Sequence, residues 1–166
     1  VRSGGAAGPR GWETVPMTDT TARTTWVYDD GGRTAAGFRG EAGDCVTRAI
    51  TIAISRPYRE VYDALSSNIR GTRTSRGRVR VSARSGLPRF AYDRYLTAAG
   101  WTWTPTMTIG GGCRVHLRAD QLPSGRIIAR LSHHLVAVID GVIHDTDDPS
   151  RGGTRCVYGY FSMKVP

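Results

Sequence analysis

Apolar residues recur every three or four positions in three stretches of the chain, the spacing of helices with one buried face. The first stretch begins behind Asp44, a favourable N-cap residue, and Ser55-Arg56-Pro57 ends it. Pro57 suits the first turn of a second helix, and a third runs over 88–99. The positions expected to be buried are Val46, Ala49, Ile50, Ala53 and Ile54; Val61, Ala64, Leu65 and Ile69; and Phe90, Tyr95 and Leu96.

Short runs rich in β-branched and aromatic residues predict strands, most of them in the C-terminal half. Asp140-Gly141 lies between two such runs and predicts a two-residue hairpin. Helices first and strands later is the order of an α+β fold, with N-terminal helices packed on a C-terminal antiparallel β-sheet. The predicted strands are 26–28, 101–104, 126–131, 134–139, 142–145 and 156–161.

The composition of the 166-residue chain indicates how it divides into an arm and a domain. Residues 1–25 are rich in Gly, Ala, Arg, Thr and Pro without a period, which predicts a flexible N-terminal arm before a single domain over 26–166. No apolar run is long enough to span a membrane, and no secretory signal is visible. Three widely spaced cysteines (Cys45, Cys113, Cys156) argue against a disulfide framework and for a reducing cytoplasm.

The net charge is +9 and the basic residues are almost all arginine. This bias is typical of a GC-rich genome, so we expect an actinobacterium or one of its bacteriophages. The Arg-rich segment 70–84 makes nucleic acid a possible partner, although it carries no aromatic residue for stacking on bases. A solvated basic surface is the simpler interpretation of the same charge.

One cysteine lies at a position that suits a catalytic nucleophile. Cys45 follows Gly43-Asp44 at the first turn of the first predicted helix. A sulfur there lies near unpaired backbone N–H groups and the positive end of the helix dipole, and both favour thiolate over thiol.

The predicted hairpin supplies a base for this thiol. Its register puts His134 opposite Asp147 and diagonal to Asp145, so these three side chains share one face of the sheet. His133 and His144 fall on the other face. A cysteine hydrolase needs this combination, because a histidine must take the thiol proton and a third polar group must orient the imidazole.

The segments GDCVTRA and HLVAVIDGVIHDT resemble the nucleophile segment and the histidine hairpin of the papain-like cysteine peptidase superfamily. The stretch 100–160 also resembles uncharacterised proteins of actinobacteria and their phages. The resemblance implies a papain-like catalytic domain in which Cys45 is the nucleophile, His134 the base and Asp145 the orienting acid. It further implies a cysteine hydrolase, whether peptidase, isopeptidase or amidase, that acts on a peptide or protein substrate through a thioester intermediate. It implies neither a metal nor an organic cofactor.

The chain departs from the family pattern at two points. No glutamine precedes the nucleophile between Gly37 and Asp44, so the backbone N–H of Cys45 and the Arg39 side chain are the oxyanion candidates. Some relatives place the acid in an Asp-Pro pair, which leaves Asp148 as an alternative third member behind Asp145 and Asp147.

The sequence gives weaker support for two other kinds of site, a metal site and a phosphate-binding loop. Cys113 and His116 have the spacing of a metal-binding pair, but no second tight pair follows. Gly110-Gly111-Gly112 lacks the residues of a phosphate-binding loop. The alternative to an enzyme is a non-catalytic basic phage or host protein of the same fold that binds nucleic acid or a protein partner.

Overall fold

Three helices precede most strands of one sheet, which confirms the predicted α+β order. The computed structural model describes residues 25–69 and 81–163. Nearly all of the predicted arm and residues 70–80 of the Arg-rich segment therefore lie outside the described residues. The elements of the described part are β1 (Thr25–Tyr28), α1 (Cys45–Ile54), α2 (Tyr58–Ile69), α3 (Arg89–Ala98), β2 (Trp101–Pro105), β3 (Arg126–Leu131), β4 (His134–Ile139), β5 (Val142–Asp145) and β6 (Gly159–Met163).

The expectation of an antiparallel sheet is wrong at one edge. The strand order is β1-β5-β4-β3-β6-β2, and β1 pairs with β5 in parallel, with Tyr28 beside Asp145. All three helices separate these two strands in the chain, and such a crossover permits a parallel pair. The predicted hairpin is confirmed: Asp140 (φ 47°) and Gly141 (φ 80°) both have the positive φ of a two-residue turn, and Val138 pairs with Ile143.

Both faces of the sheet are buried. On one face, Ile128, Leu135 and Phe161 pack in a core with the helices. On the other face, Leu117 and Leu122 from the connection between β2 and β3 cover a second core. Because β3 and β4 are covered on both sides, they are continuous apolar runs rather than alternating ones.

Helix faces follow the predicted periodicity with one correction. In α1, Val46, Ala49, Ile50 and Ala53 are all buried as predicted. In α3, the predicted Phe90 and Tyr95 are wrong as core positions, since Phe90 is 49 % exposed and Tyr95 is only partly buried. The buried residues of α3 are Ala91, Tyr92 and Leu96. In α2, Val61 and Leu65 are buried, whereas Ala64 and Ile69 are partly buried.

A disulfide joins Cys113 to Cys156, with 5.8 Å between their Cα atoms, so the expectation of unpaired cysteines is wrong. It ties the connection between β2 and β3, which covers the second core, to the segment before β6. His116 and Cys156 also form an isolated antiparallel β-bridge there. The last strand accordingly begins at Gly159 rather than at Cys156. A bond that closes such a span typically contributes about 2–4 kcal/mol to stability. The disulfide also removes the basis for predicting a reducing cytoplasm.

The described helices are all too short or too polar to cross a lipid bilayer.

Candidate active site

Helix α1 is fixed at its C-terminal end. The Arg126 guanidinium donates hydrogen bonds to the carbonyl oxygen of Ile52 (3.0 Å) and to Ser55 Oγ (2.7 Å). A cation there complements the negative end of the helix dipole. The opposite, positive end of the dipole carries Cys45, the first residue of the helix. The helix packs along β4 and so holds the sulfur beside the start of that strand.

The sulfur of Cys45 faces two groups of β4. The His134 ring and the backbone N–H of Leu135 both lie close enough to it to lower the pKa of the thiol. Cys45 is half-buried and is the free cysteine of the chain. The fold therefore brings together a thiol and an imidazole that are about ninety residues apart in sequence.

The second ring nitrogen of His134 is also engaged. Nε2 lies 2.5 Å from Oδ2 of Asp145, which leaves Nδ1 to face the sulfur of Cys45. Asp145 is 4 % exposed, and its other carboxylate oxygen accepts a hydrogen bond from the backbone N–H of Thr146 at 2.7 Å. The imidazole is thereby held between a carboxylate and a thiol, as a base in acyl transfer must be.

The electrostatics favour a thiolate–imidazolium pair. Burial raises the pKa of the Cys45 thiol, but the hydrogen bond and charge of His134, with smaller contributions from Leu135 N–H and Arg48, lower it overall. Burial lowers the pKa of His134, whereas its hydrogen bonds with Asp145 and Cys45 raise it to about 9. Burial also raises the pKa of Asp145, but the hydrogen bond and charge of His134, with smaller contributions from Thr146 N–H and Arg48, together outweigh it and lower the pKa. Each shift favours the charged form of its group: a thiolate at Cys45, an imidazolium at His134 and a carboxylate at Asp145.

A network of charges that the sequence analysis missed continues behind Asp145. Arg48 Nη2 lies 3.2 Å from Oδ1 of Asp145, and Arg48 Nη1 pairs with the carboxylate of Asp44. Asp44 is only 1 % exposed, and it also accepts a hydrogen bond from the Tyr58 hydroxyl at 2.5 Å. Arg33 Nε adds an ion pair with Asp44 at 2.9 Å. Charges of alternating sign thus run from the sulfur into the protein.

Asp44 consequently does not cap the helix as predicted. It stands at the N-cap position, but its side chain makes no capping hydrogen bond because both carboxylate oxygens serve the network. The four-residue spacing of Asp44 and Arg48 is a readable signal for an ion pair on a helix. Nothing in the sequence pattern points to Arg33 or Tyr58, which lie in other segments.

Two of the predicted alternatives do not reach His134. The pairing of β4 with β5 ends at Ala137 opposite His144, so the register does not continue to His134 and Asp147. Asp147 is exposed and contacts the Thr146 hydroxyl. Asp148 closes a turn by accepting a hydrogen bond from the Ser150 backbone N–H. Of the three predicted acids, the structure brings only Asp145 to the imidazole.

The predicted oxyanion candidate Arg39 also lies elsewhere. It is exposed, its carbonyl oxygen accepts hydrogen bonds from Arg33 and Arg84, and the residue does not line the cleft that contains Cys45. Arg84, at the end of the predicted nucleic-acid segment, is therefore partly occupied by an internal contact.

A second histidine–aspartate pair lies outside the cleft that contains Cys45. His144 Nδ1 lies 3.1 Å from Oδ2 of Asp29, and neither residue lines the cleft. His133 lines the cleft but is exposed, with a left-handed φ of 56° in the turn before β4. Across residues 25–69 and 81–163, no group of three or more His, Cys, Asp or Glu side chains is arranged to hold a metal ion.

Cys45 and His134 open into a cleft of about 920 Å³. One wall comes from residues 85–89, before and at the start of α3, and the other from the turn between β3 and β4. Leu87, Pro88 and Tyr92 supply apolar surface to the cleft beside the Cys45–His134 pair.

The thiolate–imidazolium pair predicts that the alkylation rate of Cys45, plotted against pH, has its inflection at a low pH. Because the thiolate is stabilised by His134, the iodoacetamide rate of wild-type Cys45 should level off well below pH 9, the ordinary range for a thiol. In His134→Ala the inflection should move upward, and the rate at pH 7 should fall about tenfold. Mass spectrometry of the Cys45 peptide measures both. A wild-type rate that still climbs beyond pH 9 would contradict the ion pair.

Comparison of the chain with protein-family models, with curated proteins and with solved structures found no match. The functional argument therefore depends on the geometry of the site.

Proposed function

We propose that the protein is a cysteine hydrolase of papain-like type that cleaves an amide bond through a thioester acyl-enzyme. The observation that carries the proposal is the chain of contacts from Cys45 through His134 to Asp145. A buried structural cysteine has no need of an ionised imidazole partner, and a structural ion pair has no need of a thiol that opens into a cleft.

The proposed reaction begins with attack of the Cys45 thiolate on the scissile carbonyl carbon. A C–S bond forms and the carbonyl electrons move to oxygen, where the backbone N–H of Cys45 is the remaining oxyanion candidate. The tetrahedral intermediate collapses as the C–N bond breaks, and His134 gives its proton to the departing amine. His134 then takes a proton from water, whose oxygen attacks the thioester and releases the acid and the thiolate.

Asp145 and Arg48 have supporting roles in this proposal. Asp145 fixes the ring orientation of His134 and stabilises the imidazolium. Arg48 in turn holds Asp145 and adds positive charge near the sulfur. The proposed substrate is a peptide or protein amide, since the cleft is open to solvent and its lining combines apolar and polar residues.

Acyl-enzyme formation tests the proposal directly. Mixing the protein with p-nitrophenyl acetate should release nitrophenolate in a burst of one equivalent, because acylation precedes slower thioester hydrolysis. The Cys45 peptide should gain the mass of one acetyl group. Cys45→Ser keeps the shape of the site and is the matched control, which should show no burst. Slow, unselective acetylation of wild type and Cys45→Ser alike would instead favour the non-catalytic binding protein.

A further inference from the structure

The cleft beside Cys45 is positively charged. Among the described residues, three arginines (Arg48, Arg89 and Arg130) and two histidines line it, and no aspartate or glutamate does. A neighbouring pocket shares Ala42, Gly43 and Arg48 with the cleft, and the acidic residues Asp30, Glu41 and Asp147 line that pocket. A basic lining excludes cationic groups from the cleft and favours anionic ones.

Arg130 differs from the other two arginines. Arg48 is paired with Asp44 and Asp145. Arg89 is paired with Asp93 at 2.9 Å and stacks on the Trp103 ring at 4.7 Å. Among residues 25–69 and 81–163, no carboxylate forms an ion pair with Arg130. A half-buried guanidinium without a carboxylate partner is an available partner for a ligand carboxylate.

The sheet register puts Arg130 next to the reactive thiol. Arg130 on β3 is paired directly with Leu135 on β4, the residue whose N–H lies close to the Cys45 sulfur. Opposed residues of neighbouring strands share a face and lie about 5 Å apart. Tyr92 lies close enough to sense the charges of both Arg130 and Cys45. A group bound by Arg130 would therefore belong to the substrate residue at the scissile carbonyl or to its immediate neighbour.

We infer that Arg130 is a specificity-determining residue and that the preferred substrate is an acidic peptide, with an aspartate or glutamate beside the scissile amide. This inference rests on the proposed function and adds the substrate class. The guanidinium fork matches a carboxylate in two parallel hydrogen bonds, and a half-buried site strengthens each of them. A neutral side chain at the same position would leave Arg130 without an ion pair, and the guanidinium would repel a basic one.

Matched covalent probes test the inference. The probes are N-acetyl tripeptide vinyl sulfones. Each carries one glutamate, at the first, second or third position, and matching probes carry glutamine or lysine at the same position. At one position, the glutamate probe should inactivate wild-type protein about 10- to 100-fold faster than its glutamine isostere, and the lysine probe should be slowest. Arg130→Gln should equalise the glutamate and glutamine probes. Arg130→Glu should reverse the order in favour of lysine.

Controls separate this inference from the proposed function. Arg94→Gln removes an exposed arginine outside the cleft and should keep the glutamate preference. The iodoacetamide rate of each variant measures the reactivity of Cys45 without a probe side chain, and each probe rate is divided by it before the probes are compared. Normal alkylation with equal glutamate and glutamine rates in wild type overturns the acidic-peptide inference alone. An oligonucleotide that blocks the probes only when Arg130 is present, without any glutamate preference, also overturns it and assigns the cleft to phosphate.

Discussion

Replacing Cys45 or His134 by alanine is expected to lower hydrolysis of p-nitrophenyl acetate, or of any peptide substrate found with the probes, by about 10⁴-fold or more. Cys45 supplies the free thiol, and its thiolate depends on the imidazolium beside it. The two groups act as one unit, so the double variant should be hardly slower than either single variant. Steady-state rates corrected for the uncatalysed reaction measure the effect.

The pattern of losses distinguishes catalysis from a structural role. Asp145→Asn keeps the size of the acid and removes its charge, and it should cost less than loss of His134, since the imidazole stays in place but loses the partner that stabilises its charge. His144→Ala is the matched histidine control, because its partner is Asp29 and it lies outside the cleft. Equal activities for His134→Ala and His144→Ala would refute the assigned base.

Replacing Asp44 by alanine is expected to destabilise the fold by about 3–5 kcal/mol, the cost of leaving buried cations without their partner. Asp44 is 1 % exposed, and its carboxylate meets Arg33, Arg48 and the Tyr58 hydroxyl. Urea unfolding followed by circular dichroism measures the free energy of unfolding. Activity should fall as well, because Arg48 would lose the contact that holds it against Asp145.

An exposed ion pair of the same spacing provides the comparison. Glu60 pairs with Arg56 four residues away, and both side chains are about half exposed. Glu60→Ala should therefore change stability by no more than about 0.5 kcal/mol. Tyr58→Phe should fall between the two, since it removes one hydrogen bond and leaves the charges paired. An Asp44→Ala variant as stable as Glu60→Ala would show that the network does not stabilise the fold.

The parts of the site that the sequence predicted depend on local rules. Asp140-Gly141 fixes a two-residue turn, and this turn makes β4 and β5 neighbours and places Asp145 near His134. The apolar period after Asp44 determines the helix that carries Cys45. Both signals lie within about a dozen residues, where spacing determines geometry.

The missed parts depend on contacts between distant segments. Arg33 and Tyr58 approach Asp44 from a loop and from a second helix, and no periodic pattern encodes that meeting. The parallel pairing of β1 with β5 and the bond between Cys113 and Cys156 are likewise set by the folded topology. The predicted register puts Asp145 and Asp147 on the face of His134, with Asp145 preferred. Because strand pairing ends at Ala137 opposite His144, Asp147 is not brought to the imidazole, whereas Asp145 is.

The disulfide between Cys113 and Cys156 has a practical consequence for any assay of this enzyme candidate. Thiol enzymes are customarily stored with dithiothreitol to reverse oxidation of the nucleophile. Here the same additive would also open a bond that fastens the covering segment, and Cys113 is exposed to it. Preparations should therefore be activated by brief, mild reduction and then desalted, so that one sulfur is regenerated while the other two stay joined.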